Sequence, residues 1–170
     1  MIKAVMVSAM AVLLVGCGTV KYVPQEYVIA NDRIPNFDLN GAVRVENIQT
    51  DQEQIKFFEG AAADWVGDYR SVTEHLVTQL SKEIAIHGKV LGTNKKKVLQ
   101  VKVLNLRATQ EAFHFRSSMQ VLVRLGNGDE VTVAVSQGSP SDMWRVLNGT
   151  LALGAIDILK NAKVKAYLAE

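Results

Sequence analysis

The tetrapeptide Gly126-Asn127-Gly128-Asp129 constrains this chain more than any other stretch. Asn-Gly accepts the positive φ angles of a tight hairpin turn, and the residues on both sides alternate as strands do. Before it, Phe113, Phe115, Met119, Val121, Val123 and Leu125 alternate with His114, Arg116, Ser118, Gln120 and Arg124, and only Leu122 breaks the pattern. After it, "EVTVAVSQ" places Val131, Val133 and Val135 on one side. Two antiparallel strands with a single apolar face are predicted, and such a face needs a cover.

Further strands and two helices supply the rest of a layer. In "VLQVKVLNLRA" the apolar set is Leu99, Val101 and Val103, then shifts phase to Leu104, Leu106 and Ala108. Keeping one face buried across that shift requires an extra residue, so a bulge is expected near Leu104. "AVRVENI", after Gly41, alternates Val43 and Val45 with Arg44 and Glu46 and reads as another strand. In "SVTEHLVTQLSKEIAIHG" the residues Val72, Leu76, Leu80 and Ile84 form a helical stripe. Ser71 and Glu74 match a capping box, and Gly88 is expected as a left-handed stop. Ser141 or Asp142 is expected to cap a second helix with the stripe Trp144, Leu147, Leu151, Ala155, Ile158 and Ala162, where Gly149 and Gly154 permit close approach to a sheet. The order β-α-β-β-β-α predicts an α+β two-layer sandwich, a four-stranded mixed sheet with two helices on one face.

The N-terminal region reads differently. Lys3 followed by the apolar run Ala4 to Val15 has the form of a secretory signal peptide and is too short to span a bilayer as a helix of ~20 residues. Leu14-Val15-Gly16-Cys17 resembles a bacterial lipobox, which implies cleavage before Cys17 and acylation, palmitate included, of the chain's single cysteine. Removing residues 1–16 from the 170 leaves 154, enough for one domain. The net charge of +2 falls to +1 with the loss of Lys3, which does not favour nucleic acid as a partner. With Cys17 acylated no disulfide is available, so stability must come from packing. Residues 17–40 contain Pro24 and Pro35 and no sustained period, and read as the acylated cysteine followed by a tether. The apolar residues Tyr22, Tyr27, Val28, Ile29, Ile34 and Phe37 favour a strap on its own domain over a segment ordered by a partner. Residues 41–170 then form a single domain.

Chemistry-bearing residues are sparse. His75, His87 and His114 have no metal-ligand spacing and are expected at the surface or an interface. No nucleophile elbow, phosphate-binding loop or dinucleotide fingerprint occurs, and neither enzymatic activity nor a metal or cofactor is expected. Asp64 and Asp68 are separated by one turn if helical, and read as helix-start charges. Lys95, Lys96 and Lys97 read as a solvated basic turn. Residues 50–68 carry Phe57, Phe58 and Trp65 without a clean period. They fit a core excursion, or, as the sharper expectation, an exposed partner-binding surface.

The stretch "LVTQLSKEIAIHGKVLGTNKKKVLQVKVLNLRA", with the Asn-Gly hairpin and final helix behind it, resembles small outer-membrane lipoproteins of the YajG type and the lipoprotein partner of the lipopolysaccharide-assembly barrel. The resemblance covers roughly residues 41–162. It implies an outer-membrane lipoprotein facing the periplasm, in keeping with Gly18 where an aspartate would resemble an inner-membrane retention signal. The expected function is non-enzymatic binding or assembly in the cell envelope, with the bilayer and an envelope protein or lipid-linked molecule as partners. The alternative is a lipid- or glycolipid-binding auxiliary of an envelope transport system.

Overall fold

The computed structural model describes residues 18–140 and 142–170, apart from the side chains of residues 93 and 94. Cys17 and the signal segment lie outside the described residues. The elements are β1 (Gly18–Lys21), β2 (Phe37–Asn47), β3 (Ile55–Phe58), β4 (Ala63–Gly67), α1 (Tyr69–His87), β5 (Gly88–Glu111), β6 (His114–Leu125), β7 (Glu130–Ser139), α2 (Met143–Lys160) and α3 (Ala162–Ala169). The mixed α+β class holds, and the expected β-α-β-β-β-α unit is present as β2, α1, β5, β6, β7 and α2. Its sheet has the order β2-β5-β6-β7, with β2 parallel to β5 and the other pairs antiparallel. The architecture departs from the expected single sheet and two helices. A second, three-stranded sheet of order β1-β4-β3 and a third helix are added.

The alternation pattern explains the core. Leu99, Val101 and Val103 of β5, Met119, Val121 and Val123 of β6, and Val131, Val133 and Val135 of β7 are buried together with the Val72, Leu76, Leu80 and Ile84 stripe of α1. The phase change in β5 is resolved as expected. Val103 pairs with Val121 and Asn105 with Gln120, so Leu104 is the extra residue and turns outward. Beyond the end of β2, side chains take over the backbone groups of Val103. Its N–H donates to Thr73 Oγ1 at 3.1 Å, and its carbonyl accepts from Gln49 Nε2 at 2.8 Å. Leu125 and Glu130 frame the hairpin, where Gly128 has φ 95°. Phe113 is displaced from its expected strand position. It sits in the β5–β6 turn beside Ala112, whose φ is 49°, and is 87% exposed.

Several local expectations are corrected. The N-cap of α1 is Asp68, not Ser71: Asp68 Oδ1 accepts from the Ser71 N–H at 2.7 Å, and Oδ2 accepts from the Ser71 hydroxyl at 2.8 Å. Asp64 belongs to β4, where its carboxylate meets Lys56 Nζ at 2.7 Å, so it shares no helix face with Asp68. Gly88 is extended, with φ −81°, and leads directly into β5; a side chain there would strike Leu39 and the Ile84 carbonyl. Lys95–Lys97 belong to β5 instead of a turn, and Lys97 is buried with its Nζ 4.5 Å from the centre of the Tyr167 ring. The long second helix breaks after Lys160. Asn161 caps α3 by accepting from the N–H groups of Lys163 and Val164, which leaves Ala162 exposed and buries Val164, Tyr167 and Leu168. Asp142 caps α2, its Oδ1 accepting from the Arg145 N–H at 2.8 Å.

Residues 18–36 lie against the rest of the fold. Gly18–Lys21 pairs parallel with Ala63–Val66. The Tyr22 hydroxyl donates to Asn148 Oδ1 of α2 at 2.8 Å, and Ile29 and Ile34 enter the core.

Candidate binding surfaces

The irregular segment 50–68 is a short hairpin. Lys56 pairs with Val66 and Phe58 with Trp65, so Phe57 is an extra residue on β3. That bulge lets two consecutive phenylalanines both be buried, and strands of four and five residues are too short to display a period around it. Phe57 packs edge-on to Tyr22 at 5.9 Å between ring centres and lies 6.0 Å from Tyr69. Phe58 lies 6.2 Å from Phe115, and Trp65 lies 4.8 Å from Trp144. The structure thus links Phe57 and Trp65 through Tyr22 and Trp144, sets Phe58 against Phe115 in a separate ring pair, and packs all three against the core instead of displaying them as an exposed surface. Phe57 is 2% and Phe58 8% exposed, and Trp65 is half-buried. Tyr22, Phe115 and Trp144 make these ring contacts from distant parts of the chain.

Beside these rings opens an apolar cleft of about 530 Å³, lined by Phe58, Trp65, Phe115, Met143 and the Ala61–Ala63 turn. Its polar members are at the margin. Asp142 is committed to capping α2, and Gln110 ends the strand side. The cleft suits an apolar group and offers no convergent acid and base for hydrolysis.

A second apolar surface lies at the opposite end of β5. Ile86, Val90 and Leu91 are 52%, 59% and 60% exposed around the α1–β5 junction. Here β5 has β2 on one side, whereas its pairing with β6 starts only at Leu99. Residues Gly88–Val98 of β5 therefore lack pairing with β6, and at the far end the Val98 N–H donates to the Tyr167 hydroxyl while its carbonyl accepts from the Gly126 N–H. This surface was not legible as such, because Val90 and Leu91 look like any strand residues until the pairing is known.

The titratable groups form small structural clusters. His87, expected at the surface or an interface, is buried within the fold: its Nε2 lies 3.5 Å from Glu83 Oε2, while Gln79 Nε2 donates to Glu83 Oε1 at 2.7 Å. His75 is half-buried, and desolvation holds it below its ordinary value against the opposing pull of the Gln25 backbone and Glu26. Burial pushes the Tyr22 phenol up. The Lys82 ammonium, by hydrogen bond and charge, lowers Glu26. Among the described residues no group of three or more His, Cys, Asp or Glu side chains is placed to hold a metal ion, and no helix is long and apolar enough to cross a membrane.

No protein-family model matches the sequence, and none of the curated proteins does. Structural neighbours include bacterial lipoproteins. The minor lipoprotein of Acinetobacter baumannii is similar at 11% identity and a TM-score of 0.36, over 77% of this chain and 92% of that one. The lipoprotein GNA1162 of Neisseria meningitidis is similar at 10% identity and a TM-score of 0.32, over 75% and 100%. The hypothetical protein CT253 of Chlamydia trachomatis gives 12% identity and a TM-score of 0.44, over 76% and 98%. These likenesses do not single out the YajG-type proteins or the lipopolysaccharide-assembly lipoprotein.

Proposed function

We propose that this chain is a non-enzymatic lipoprotein of the bacterial cell envelope, anchored by acylated Cys17 to the periplasmic leaflet of the outer membrane and acting as a binding or assembly factor. The observation that carries this reading is the edge of β5 between Gly88 and Gly92, left unpaired by β6 and flanked by the exposed Ile86, Val90 and Leu91. A strand edge accepts an extended segment through main-chain hydrogen bonds, and exposed apolar side chains beside it supply specificity. This moves the expected partner surface away from Phe57, Phe58 and Trp65, whose area is largely spent on the core.

Two measurements test the reading. Cys17→Ser should lose its acyl label and leave the membrane fraction, because a multiply acylated cysteine is the durable anchor. A photo-crosslinker at Leu91 should capture an envelope protein in intact cells, and Leu91→Glu should reduce partner capture at a neighbouring crosslinker without changing the melt. Equal capture from the Glu variant would sink the edge as the binding surface.

The cleft beside Phe58 and Trp65 favours a second reading, the lipid- or glycolipid-binding auxiliary. Its signature would be a stoichiometric lipid that remains with the protein purified in its Cys17→Ser form and is lost when Ala62→Trp fills the cleft.

A further inference from the structure

We infer that the end of the molecule carrying the β5–β6 turn and the aromatic cleft lies on the bilayer, with Phe113 inserted among the lipids beside the anchor. The inference rests on the lipoprotein reading of Cys17 and adds an orientation to it. The first described residue, Gly18, is already a strand residue paired with Ala63, and its N–H donates to the Ala62 carbonyl at 3.4 Å. One peptide link, about 3.8 Å between Cα atoms, separates the acylated residue from Gly18, which pairs across the sheet with Ala63 of the cleft lining. The tether expected over residues 17–40 provides no slack, because pairing begins at Gly18 and the Tyr22 ring is buried. Whatever is exposed at this end is held at the depth of the anchor.

The large apolar side chain exposed there is Phe113, beside the solvent-exposed ion pair of Glu111 and Arg116. Gln110 and Phe115 reach the cleft from the two strands that the β5–β6 turn joins, so Phe113 at its tip belongs to the same end. A phenylalanine 87% exposed on a turn forced through a positive φ at Ala112 is ill-suited to water and suited to the acyl boundary of a membrane. The competing apolar surface at Ile86, Val90 and Leu91 is at the other end of β5. Leu91 precedes the Glu111 end by 20 residues, and the part of β5 paired with β6, from Leu99 to Glu111, by itself runs roughly 40 Å, far beyond the 5–10 Å depth of an interfacial contact. A lipid surface is thus the occupant of one end, and the other is left facing the periplasm for a protein partner.

The test uses the acylated full chain in vesicles of phosphatidylethanolamine and phosphatidylglycerol, with a nitroxide on His114→Cys or on Leu91→Cys. The Cys17 sulfur carries lipid and does not compete for the label. The expected result is a His114 label accessible to oxygen and shielded several-fold from a water-soluble nickel complex, with the Leu91 label fully open to nickel. Adding Phe113→Ser to His114→Cys should return the label towards water while the protein stays bound. An acylated, vesicle-bound protein whose His114 label remains aqueous, or whose Leu91 label is the shielded one, would overturn the orientation and leave the anchor standing. A Phe113→Ser variant with unchanged label depth would overturn the insertion of Phe113. Absence of acyl mass on Cys17 would overturn the anchor and the orientation together.

Discussion

Phe57 and Phe113 share a side chain and differ in everything around it. Phe57 is 2% exposed between Tyr22 and Tyr69, whereas Phe113 is 87% exposed on a turn. Truncating a buried aromatic forfeits its transfer free energy and leaves a cavity, so Phe57→Ala should cost about 3–5 kcal/mol. Phe113→Ser, away from the core, should stay within about 0.5 kcal/mol. Urea unfolding of the two variants checks the contrast, and similar midpoints would contradict the burial assigned to them. Thr73 is a quieter case. Its hydroxyl donates to the Tyr69 carbonyl at 2.7 Å and accepts the buried Val103 N–H at 3.1 Å. Thr73→Val keeps the shape and orphans that N–H, for an expected loss of about 1–3 kcal/mol. The midpoint should fall with the slope of the unfolding curve unchanged. No pattern in the sequence marks Thr73, since its acceptor role exists only where β5 runs past the end of β2.

At the scale of elements, two bulges show what periodicity can and cannot reveal. The one at Leu104 was legible because a long run of alternation stands on both sides of the phase change. The one at Phe57 was not, because β3 and β4 end before a phase is established. A third irregularity lies in β2, where pairing shifts between Asn40 and Ala42 and Gly41 takes φ 104°. A side chain there would also strike the Lys95 backbone carbonyl. Gly41→Ala should therefore cost at least about 1–2 kcal/mol from backbone conformation alone, before any movement of β5. A thermal melt indistinguishable from that of the parent would show that the β2–β5 irregularity relaxes freely. The breaks at Gly88 and Asn161 have a related lesson. Local rules foresaw that the α1 stripe stops at Gly88, but direction of exit is set by what lies next: Gly88 enters a strand against Leu39, and Asn161 starts a helix that docks Tyr167 on Val98.

The whole molecule is closed by its N-terminal segment. Tyr22 and Gln25 both donate to Asn148 Oδ1 of α2, Glu26 pairs with Lys82 of α1, and the Gln25 backbone meets His75. This strap gives a pH dependence with a definite sign. His75 is held below its ordinary 6.5 chiefly by desolvation, so the folded state binds fewer protons than the unfolded chain as pH falls. The associated stability is complete above about pH 6.5 and is lost as pH falls through the lowered folded value. His75→Gln should flatten the decline in urea midpoint between about pH 5 and 7, with Glu26 and Lys82, which face the same spot, still charged. An unaltered decline would assign the acid sensitivity elsewhere.

Sequence alone marked the alternating stretch of β5 from Leu99, the β6–β7 hairpin and the stripes of α1 and of α2 as far as Ile158, because each is long enough for a period to repeat and because Asn127-Gly128 has a local conformational preference. It also singles out Cys17 as the proposed anchor, from a linear context that lies outside the described residues. Tertiary structure decided the second sheet, the burial of Phe57, Phe58, His87 and Lys97, and the separation of two apolar surfaces at opposite ends of β5. These depend on which distant segments meet: β1 on β4, Tyr167 on Lys97, Trp144 on Trp65. Burial is a property of neighbours, and for an aromatic or a cation in a short, irregular segment the chain order does not name them.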